Sequence, residues 1–198
     1  VYYLKLRSGE FKEASVAVPN YLNKLGIKQI IPPLTAKTGE LYARLESFRI
    51  ILYPFVDGLN GFQRKLSDPQ WVEFGAALNK FHTAEIPTAI TNGIKRDNFS
   101  SRWRDSVKLF LKRIQEETFE ERVAIEMAAF LKIRSKDILD LLNRAKSHAR
   151  ILRSQPARFV LCHGDIHGWN LLLTDHDDFY IVDWDTLIFA PKERDLMF

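Results

Sequence analysis

Three polar side chains near the C-terminal end of the sequence have the types and positions needed to hold a cation. Asp165, Asn170 and Asp183 each stand where a short apolar run meets a polar turn, in the stretch FVLCHGDIHGWNLLLTDHDDFYIVDWD. Apolar runs of this length bounded by turn residues predict strands, so the three side chains should lie at strand ends. Asp and Asn are seldom buried without partners. Their oxygens suit Mg²⁺, which completes its shell with water and phosphate.

The spacing of these residues matches the catalytic loop of a kinase. Asp165 lies five residues before Asn170, and Asp183 lies thirteen after it. Protein kinases place a catalytic Asp, a metal-binding Asn and the Asp of a DFG motif in this way. Here Gly164 replaces the Arg of that loop, and Asp183-Trp184-Asp185 replaces Asp-Phe-Gly. The form HGDxHxxN, followed by an apolar strand and DxD, resembles the aminoglycoside phosphotransferase and choline kinase-like family.

The resemblance implies a fold of the α+β class with two protein-kinase-like lobes. A small antiparallel-sheet lobe is expected over residues 1–57, and a mainly helical lobe with the catalytic loop over residues 58–198. The implied reaction is transfer of the γ-phosphoryl group of ATP, with Mg²⁺, to a hydroxyl of a small molecule. Such catalysis is mostly positioning and charge neutralisation, because the protein forms no covalent bond to the substrate.

The same resemblance implies a role for each polar residue of the motif. Asp165 would orient the acceptor hydroxyl and accept its proton. Asn170 and Asp183 would hold Mg²⁺ against the phosphates, and Asp185 would support the metal or its waters. His167 stands where protein kinases place a Lys, so it could face the transferred phosphoryl group. The alternative for His167 is a histidine that serves only the structure of the loop.

Two further residues would hold this loop in place. His163 would do so through hydrogen bonds. Asp195 lies in the segment PKERDL, which resembles the PxxRDL that follows DxD in this family, and would brace the loop and the next helix.

The N-terminal part of the chain offers candidates for binding the nucleotide. Lys5 is the only charge in the strand-like run VYYLKL, and Glu13 lies in the first turn of a helix predicted over Glu10–Leu25. On the resemblance they would form the Lys–Glu pair of the kinase small lobe, with Lys5 gripping the α and β phosphates. A solvated lysine on an edge strand is the alternative. Backbone groups from Tyr53 through Phe55 to Val56 would bind adenine at a hinge, unless this segment is a plain strand-to-helix turn.

Two other functions compete with the kinase interpretation. The stretch from Gly164 to Gly168 also spells GDxHG, the first signature of metallophosphoesterases, in which Asp and His bind one of two metals that activate water. Such enzymes also need GD and GNH motifs downstream, and the thirty residues after Gly168 contain neither. A kinase fold that binds without catalysing transfer is the other alternative. The upstream order of strand lysine, helix glutamate and hinge favours the kinase.

Composition narrows the classes of protein further. The chain has 198 residues, one Cys and a formal net charge of +4. A single cysteine excludes an internal disulfide framework and fits a reducing compartment, so we expect a cytoplasmic protein. No apolar run approaches the length of a membrane span, and no signal peptide is recognisable. The basic residues are scattered, so neither nucleic acid nor a membrane is expected as a partner, and the oligomeric state stays open.

Periodicity predicts the remaining elements. Leu34–Ala36 and Leu41–Leu45 should form a hairpin, and Phe48–Tyr53 a further strand. Residues 86–98 read as a loop. Helical patterns cover four stretches, one that begins at Asp68 and three over Trp103–Gln115, Phe119–Leu131 and Lys136–Leu152. Because the chain starts within an apparent strand and stops at an apparent helix start, we expect a fragment whose glycine-rich hairpin would precede Val1.

The acceptor is the part that the sequence determines least. The resemblance allows an aminoglycoside or related antibiotic, choline, a sugar or homoserine. The antibiotic, and with it a role in antibiotic resistance, is the first choice on the resemblance alone. The basic balance of the chain favours a neutral or singly charged metabolite instead, because a polycation needs carboxylates around it.

Overall fold

The computed structural model describes residues 1–155 and 158–197. Its strands are β1 (Tyr2–Arg7), β2 (Ala43–Leu45), β3 (Phe48–Pro54), β4 (Leu59–Asn60), β5 (Lys95–Arg96), β6 (Val160–Cys162), β7 (Leu171–Leu173), β8 (Phe179–Ile181) and β9 (Ile188–Ala190). Its α-helices are α1 (Ala14–Lys24), α2 (Asp68–Thr83), α3 (Thr88–Thr91), α4 (Arg102–Glu116), α5 (Arg122–Ile133) and α6 (Ser135–Ser154). The predicted α+β class is confirmed.

The described residues divide into two compact units. The larger unit contains residues 1–96 together with the segment that begins at Arg158, and the helical unit contains the residues from Asp97 to Gln155. The lobe boundary expected between residues 57 and 58 stays a prediction. A separate unit made of α4, α5 and α6 was not expected from the sequence.

A three-stranded antiparallel sheet begins the larger unit, in the order β1-β3-β2. Lys5 of β1 lies opposite Ile51 of β3. Successive side chains of a strand point to opposite faces, so Lys5 and Arg7 share one face of β1 while Leu4 and Leu6 lie on the other. Both leucines are exposed.

Helix α1 is shorter than the predicted span of Glu10–Leu25. It starts at Ala14, with Glu13 at its N-cap, and buries Val18 and Leu22 completely. Helical periodicity predicts that Leu25 shares this apolar face, but Leu25 is exposed because the helix ends at Lys24. The chain then turns at Gly26, which has φ +85°.

The predicted hairpin between Leu34–Ala36 and Leu41–Leu45 is wrong. The hairpin of this region pairs β2 with β3, and Leu45 lies opposite Phe48. The Leu34 amide makes one bond to the Leu52 carbonyl (2.7 Å), and residues 36–40 then close on themselves as a local turn. Pro32 and Pro33 lack the backbone N–H groups that a continuous ladder of hydrogen bonds would need, so the segment around Leu34 does not form a strand.

The motif region forms two small sheets in the larger unit. One has the order β4-β7-β8, and the other has the order β5-β9-β6 with β5 parallel to β9. The strands predicted from the three apolar runs around Asp165, Asn170 and Asp183 are present as β6, β7 and β8. Strand β9 was not expected. The short elements α3 and β5 were not expected either, because they lie within the predicted loop of residues 86–98.

Helix α2 supplies much of the core beneath these sheets. It begins at Asp68, as predicted, because Ser67 and Gln70 form a capping box and Pro69 occupies the first turn. Helical periodicity predicts an apolar stripe that contains Trp71 and Phe74, but Trp71 is exposed. The hydrophobic core joins the buried face of α2 to residues of α1 and of the strands, including Leu22, Phe74, Leu78, Phe81, Leu161, Leu173, Ile181 and Trp184.

The helical unit has its own small core. Leu111, Ile114 and Ala128 are buried there, with Phe119 and Leu131 packed against them. The bounds of α4, α5 and α6 agree with the predicted helices to within a few residues. In the part of the chain that the structure describes, every helix is too short or too polar to cross a membrane.

Candidate active site

A buried carboxylate holds the turn that carries Asp165. Asp195, in the 3-10 turn Lys192–Leu196, accepts a hydrogen bond from the His163 amide on Oδ2 (3.0 Å) and from the Gly164 amide on Oδ1 (2.8 Å). The Asp195 side chain is completely buried. The expectation that Asp195 braces the loop agrees with this geometry.

His163 ties the same turn to the strand end that precedes Asp183. Its ring Nε2 donates to the Val182 carbonyl (3.0 Å), and Thr186 Oγ1 donates to the His163 carbonyl (3.0 Å). Burial lowers the pKa of His163, so the ring is neutral at physiological pH and carries its proton on Nε2. The two proposed catalytic strand ends are thus joined by direct hydrogen bonds.

Gly164 is required by the closeness of two backbone segments. Its φ is +86°, and a Cβ there would lie 2.5 Å from the Thr186 carbonyl oxygen and 3.2 Å from Ile188 Cγ2. Any side chain would therefore meet both an unfavourable backbone conformation and the wall formed by β9 and the residues before it.

Replacing Gly164 with Ala should destabilise the protein strongly. We expect the free energy of unfolding to fall by about 1–2 kcal/mol because of the left-handed backbone. Overpacking against Thr186 should lower it by a further ~1–3 kcal/mol. Gly39→Ala is the matched control, because Gly39 has φ +89° but open space around its Cβ position. Denaturant unfolding of both variants gives the comparison. Equal losses would show that the contact with Thr186 is unimportant.

Asp165 lies in a small polar cluster with Asn170 and His167. Asn170 Nδ2 donates to the Asp165 carbonyl (2.8 Å) and lies 3.3 Å from its Oδ2. His167 Nε2 lies 3.4 Å from the same carboxylate oxygen, and His167 Nδ1 accepts from the Trp169 amide (3.2 Å). The Asp165 side chain is 40% exposed, so a substrate hydroxyl could reach it. The cluster fixes the orientation of the carboxylate while leaving it accessible.

Asp183 has an unusual backbone conformation. It follows β8 with φ 63° and ψ 66°, in the left-handed region that non-glycine residues occupy uncommonly. Asp and Asn tolerate this region better than other residues, and such strain is often found at functional sites. The predicted positions at strand ends are correct, since Asp165 follows β6, Asn170 precedes β7 and Asp183 follows β8.

Two cations of β1 meet two carboxylates of the DxD motif. Lys5 Nζ donates to Asp183 Oδ1 (2.9 Å) and to Asp185 Oδ2 (2.8 Å). Arg7 Nη2 lies 3.8 Å from Asp183 Oδ1 and also contacts Asp185. Sequence reasoning missed Arg7, although strand alternation places it on the same face as Lys5. The four formal charges of the cluster sum to zero.

The expected ion pair between Lys5 and Glu13 is wrong in this structure. Lys5 bonds to Asp183 and Asp185, whereas the Glu13 carboxylate accepts a hydrogen bond from the Tyr42 hydroxyl (2.6 Å). The reason is the late start of α1. Glu13 sits at its N-cap rather than inside the first turn, and its side chain reaches Tyr42.

One cavity of about 510 Å³ brings the predicted hinge segment together with Lys5, Asn170 and Asp183. This volume is within the ~300–1,000 Å³ of typical ligand pockets. Burial and the neighbouring Asp183 charge raise the pKa of Tyr53 to about 12, so its phenol stays protonated. The lining combines the hinge segment with the charged residues, and includes Lys5, Tyr53, Phe55, Val56, Asp57, Gly58, Asn170, Leu172 and Asp183. Asp165 and His167 contact this lining through Asn170, and Asp185 does so through Lys5.

Comparison with known proteins identifies relatives of the whole chain. The model of the phosphotransferase enzyme family, APH, matches residues 6–197. Spectinomycin phosphotransferase APH(9)-Ia, solved in complex with ADP and spectinomycin, is 33% identical, with a TM-score of 0.92 over 100% of this chain and 60% of its own. Its AMP-bound complex gives 33% identity and a TM-score of 0.91 over 100% of this chain and 62% of its own.

A more distant match agrees in fold. The aminoglycoside phosphotransferase from Alicyclobacillus acidocaldarius is 17% identical, with a TM-score of 0.62 over 98% of this chain and 59% of its own. The chain thus spans about three fifths of the length of these structures. The predicted protein-kinase-like fold is confirmed, and because the family model covers nearly the whole sequence, the chain belongs to the phosphotransferase enzyme family.

Proposed function

We propose that this chain carries the nucleotide and catalytic sites of an ATP-dependent kinase acting on a small-molecule hydroxyl. The observation that carries the proposal is the shared cavity. The cavity is lined by a strand lysine, by an Asn and an Asp at kinase spacing, and by a hinge segment. Asp165 contacts this lining through its hydrogen bond with Asn170. A metallophosphoesterase would have no need of the hinge or of Lys5.

Asp165 acts as the general base in this proposal. Its carboxylate would accept the proton of the acceptor hydroxyl as that oxygen attacks the γ-phosphorus. Asn170 and His167 hold the carboxylate in place through the contacts at 3.3 and 3.4 Å. His167 Nε2 therefore lies beside the reacting group, which is consistent with either of the roles expected for it.

Lys5 and Arg7 neutralise phosphate charge. Both cations already face the carboxylates that border the cavity, so the phosphates of ATP would find positive charge on this face of β1. The backbone around Tyr53 and Phe55 lines the same cavity and offers hinge groups for adenine. Glu13 takes no direct part in binding the nucleotide, given its bond to Tyr42.

The donor set fits Mg²⁺, because Asn170 and Asp183 carry hard oxygens and line one cavity, and Asp185 shares Lys5 with Asp183. These residues would hold the ion, and when bound it would offset the charge of the phosphates. When ATP binds, Lys5 would move from Asp183 and Asp185 to the phosphates. These carboxylates would then pair with Mg²⁺, so every charge would keep a partner.

For the acceptor we favour an aminocyclitol of the spectinomycin kind. The support is the 33% identity to spectinomycin phosphotransferase along the whole of this chain. The corresponding activity would give antibiotic resistance in the cytoplasm, where ATP is present. This chain spans 60% of the length of that relative.

A panel of acceptors tests this function. The full-length protein, with ATP and Mg²⁺, is assayed for ADP release with spectinomycin, kanamycin, choline and homoserine. We expect release that depends on spectinomycin. Turnover with choline or homoserine alone would refute the aminocyclitol. ATP binding without turnover on any acceptor would favour a non-catalytic module, and hydrolysis of phosphoesters with Mn²⁺ in the absence of ATP would favour the phosphoesterase.

A further inference from the structure

Two exposed aromatic side chains contact each other at the loop that carries Asp165. Phe62 follows β4 and is 65% exposed, and Trp169 lies between Asp165 and Asn170 and is 64% exposed. Their ring centroids are 5.5 Å apart, with an interplanar angle of 55°. A single exposed apolar side chain needs no explanation, whereas two in contact at a candidate active site indicate a surface that a ligand covers. We call these two rings the aromatic ledge.

Backbone contacts hold the ledge in place. The Phe62 amide donates to Asn60 Oδ1 (3.0 Å), and the Gly61 amide donates to the Gly168 carbonyl (2.7 Å). The Phe62 ring lies against Gly168, where an added Cβ would be 2.9 Å from Phe62 Cδ2. Because Trp169 follows Gly168 directly, the same contact between two turns positions both rings.

One imidazole ring connects the ledge to Asp165. His167 Nδ1 accepts from the Trp169 amide (3.2 Å), and His167 Nε2 lies 3.4 Å from Asp165 Oδ2. That carboxylate is 40% exposed. Asp165, Phe62 and Trp169 are not among the described residues that line the cavity of 510 Å³. An acceptor whose hydroxyl reaches Asp165 can therefore contact the ledge while a nucleotide occupies the cavity.

We propose that the acceptor packs on the aromatic ledge, and that the ledge selects a saturated ring such as that of an aminocyclitol. The inference rests on the proposed function, in which Asp165 takes the proton of the acceptor hydroxyl. The face of an aromatic ring is electronegative, so it attracts the C–H bonds of a cyclitol and any ammonium group that the cyclitol carries. The indole N–H of Trp169 is a donor for a ring hydroxyl or ether oxygen.

Other occupants fit the ledge less well. Choline and homoserine are flexible chains, whereas a rigid ring presents a whole face of C–H groups and loses little conformational entropy on binding. Aromatic cages are the usual sites for a quaternary ammonium group, and the ledge is an open pair of rings. A stable protein interface buries about 800 Å² on each partner, which is more than two aromatic side chains provide.

The experiment changes each ring in the full-length protein, with the variants Trp169→Ala, Trp169→Phe and Phe62→Leu. Calorimetry measures the binding of spectinomycin to ADP-loaded protein, and steady-state kinetics give kcat and the KM of each substrate. We expect Trp169→Ala to weaken spectinomycin binding and raise its KM by roughly tenfold or more, the effect of losing one stacked ring. Trp169→Phe should keep most of the affinity, and Phe62→Leu should have an intermediate effect. The KM of ATP should change little.

Trp71→Ala is the matched control. Trp71 is also exposed and in ring contact, with a centroid distance of 5.8 Å to Phe74, but it lies on α2. Its replacement should leave spectinomycin affinity unchanged. If Trp169→Ala lowers kcat without changing spectinomycin affinity, the rings serve only the structure of the loop and the proposal is overturned. A lower Tm with unchanged affinity overturns it as well, because the ledge then packs against another part of the protein.

Failure of the proposed function gives a different result. If the wild type phosphorylates none of the acceptors, that function fails, and calorimetry still tests the ledge. Spectinomycin binding that depends on Trp169 then supports the ledge, and absence of binding overturns it. If the wild type and Trp169→Ala phosphorylate spectinomycin with the same KM, the function stands and the ledge is wrong.

Discussion

Asp165→Asn in the full-length protein should lower kcat by about two to four powers of ten, the contribution of a general base. The amide keeps the shape of the side chain and can still meet Asn170 and His167, but it cannot accept the hydroxyl proton. Nucleotide affinity should stay similar, because Asp165 adjoins the cavity through Asn170 rather than lining it. Steady-state kinetics with separate titration of ATP and acceptor measure both quantities.

The control for this variant is Asp178→Asn. Asp178 is an exposed carboxylate on the turn between β7 and β8, and its replacement should leave kcat unchanged. Near wild-type turnover in Asp165→Asn would mean that another group accepts the proton, and the assignment of Asp165 would be abandoned.

Asp183→Asn should raise the Mg²⁺ concentration needed for half-maximal turnover. We expect a shift of roughly tenfold or more, because even the outer partners of a metal site typically contribute about 10- to 100-fold. Asn is preferable to Ala here, since Asn tolerates the left-handed backbone of residue 183 (φ 63°) and so separates ligand loss from strain. A titration of activity with Mg²⁺ at fixed ATP, with calorimetry of ATP binding, gives the shift.

Asp177→Asn is the matched control for Asp183. Asp177 also has a positive φ, of 62°, but it lies on an exposed turn away from the cavity. The same Mg²⁺ dependence in Asp183→Asn as in the wild type would show that Asp183 is not a ligand, and Asn170 and Asp185 would then need reassignment.

The strands around the proposed catalytic residues were predictable because their signals are local. Short apolar runs between polar turns located β6, β7 and β8, and so placed Asp165, Asn170 and Asp183 at strand ends. The kinase spacing then indicated the chemistry. Local signals also located α2, because Asp68 and Pro69 mark its start in the sequence.

Contacts between distant segments were not predictable in the same way. The partner of Lys5 depends on which carboxylate lies across the cavity. Asp183 is 178 residues away in the sequence, and hydrophobic periodicity carries no information about contacts at that separation. The bond between His82 and Asp195 spans 113 residues and has the same limitation. The ion pair of Glu13 with Lys5 was wrongly predicted because α1 begins only at Ala14, a boundary that no strong capping signal marks.

The most direct test of the account follows the label from γ-labelled ATP. The full-length protein is incubated with Mg²⁺ and spectinomycin, and the products are separated. We predict that label appears on a hydroxyl of spectinomycin with the wild type and with Asp178→Asn, and that Asp165→Asn nearly abolishes it. Label found only in inorganic phosphate at a rate that does not depend on the acceptor, or equal transfer by Asp165→Asn, would contradict the central claim that this chain positions Asp165 for phosphoryl transfer.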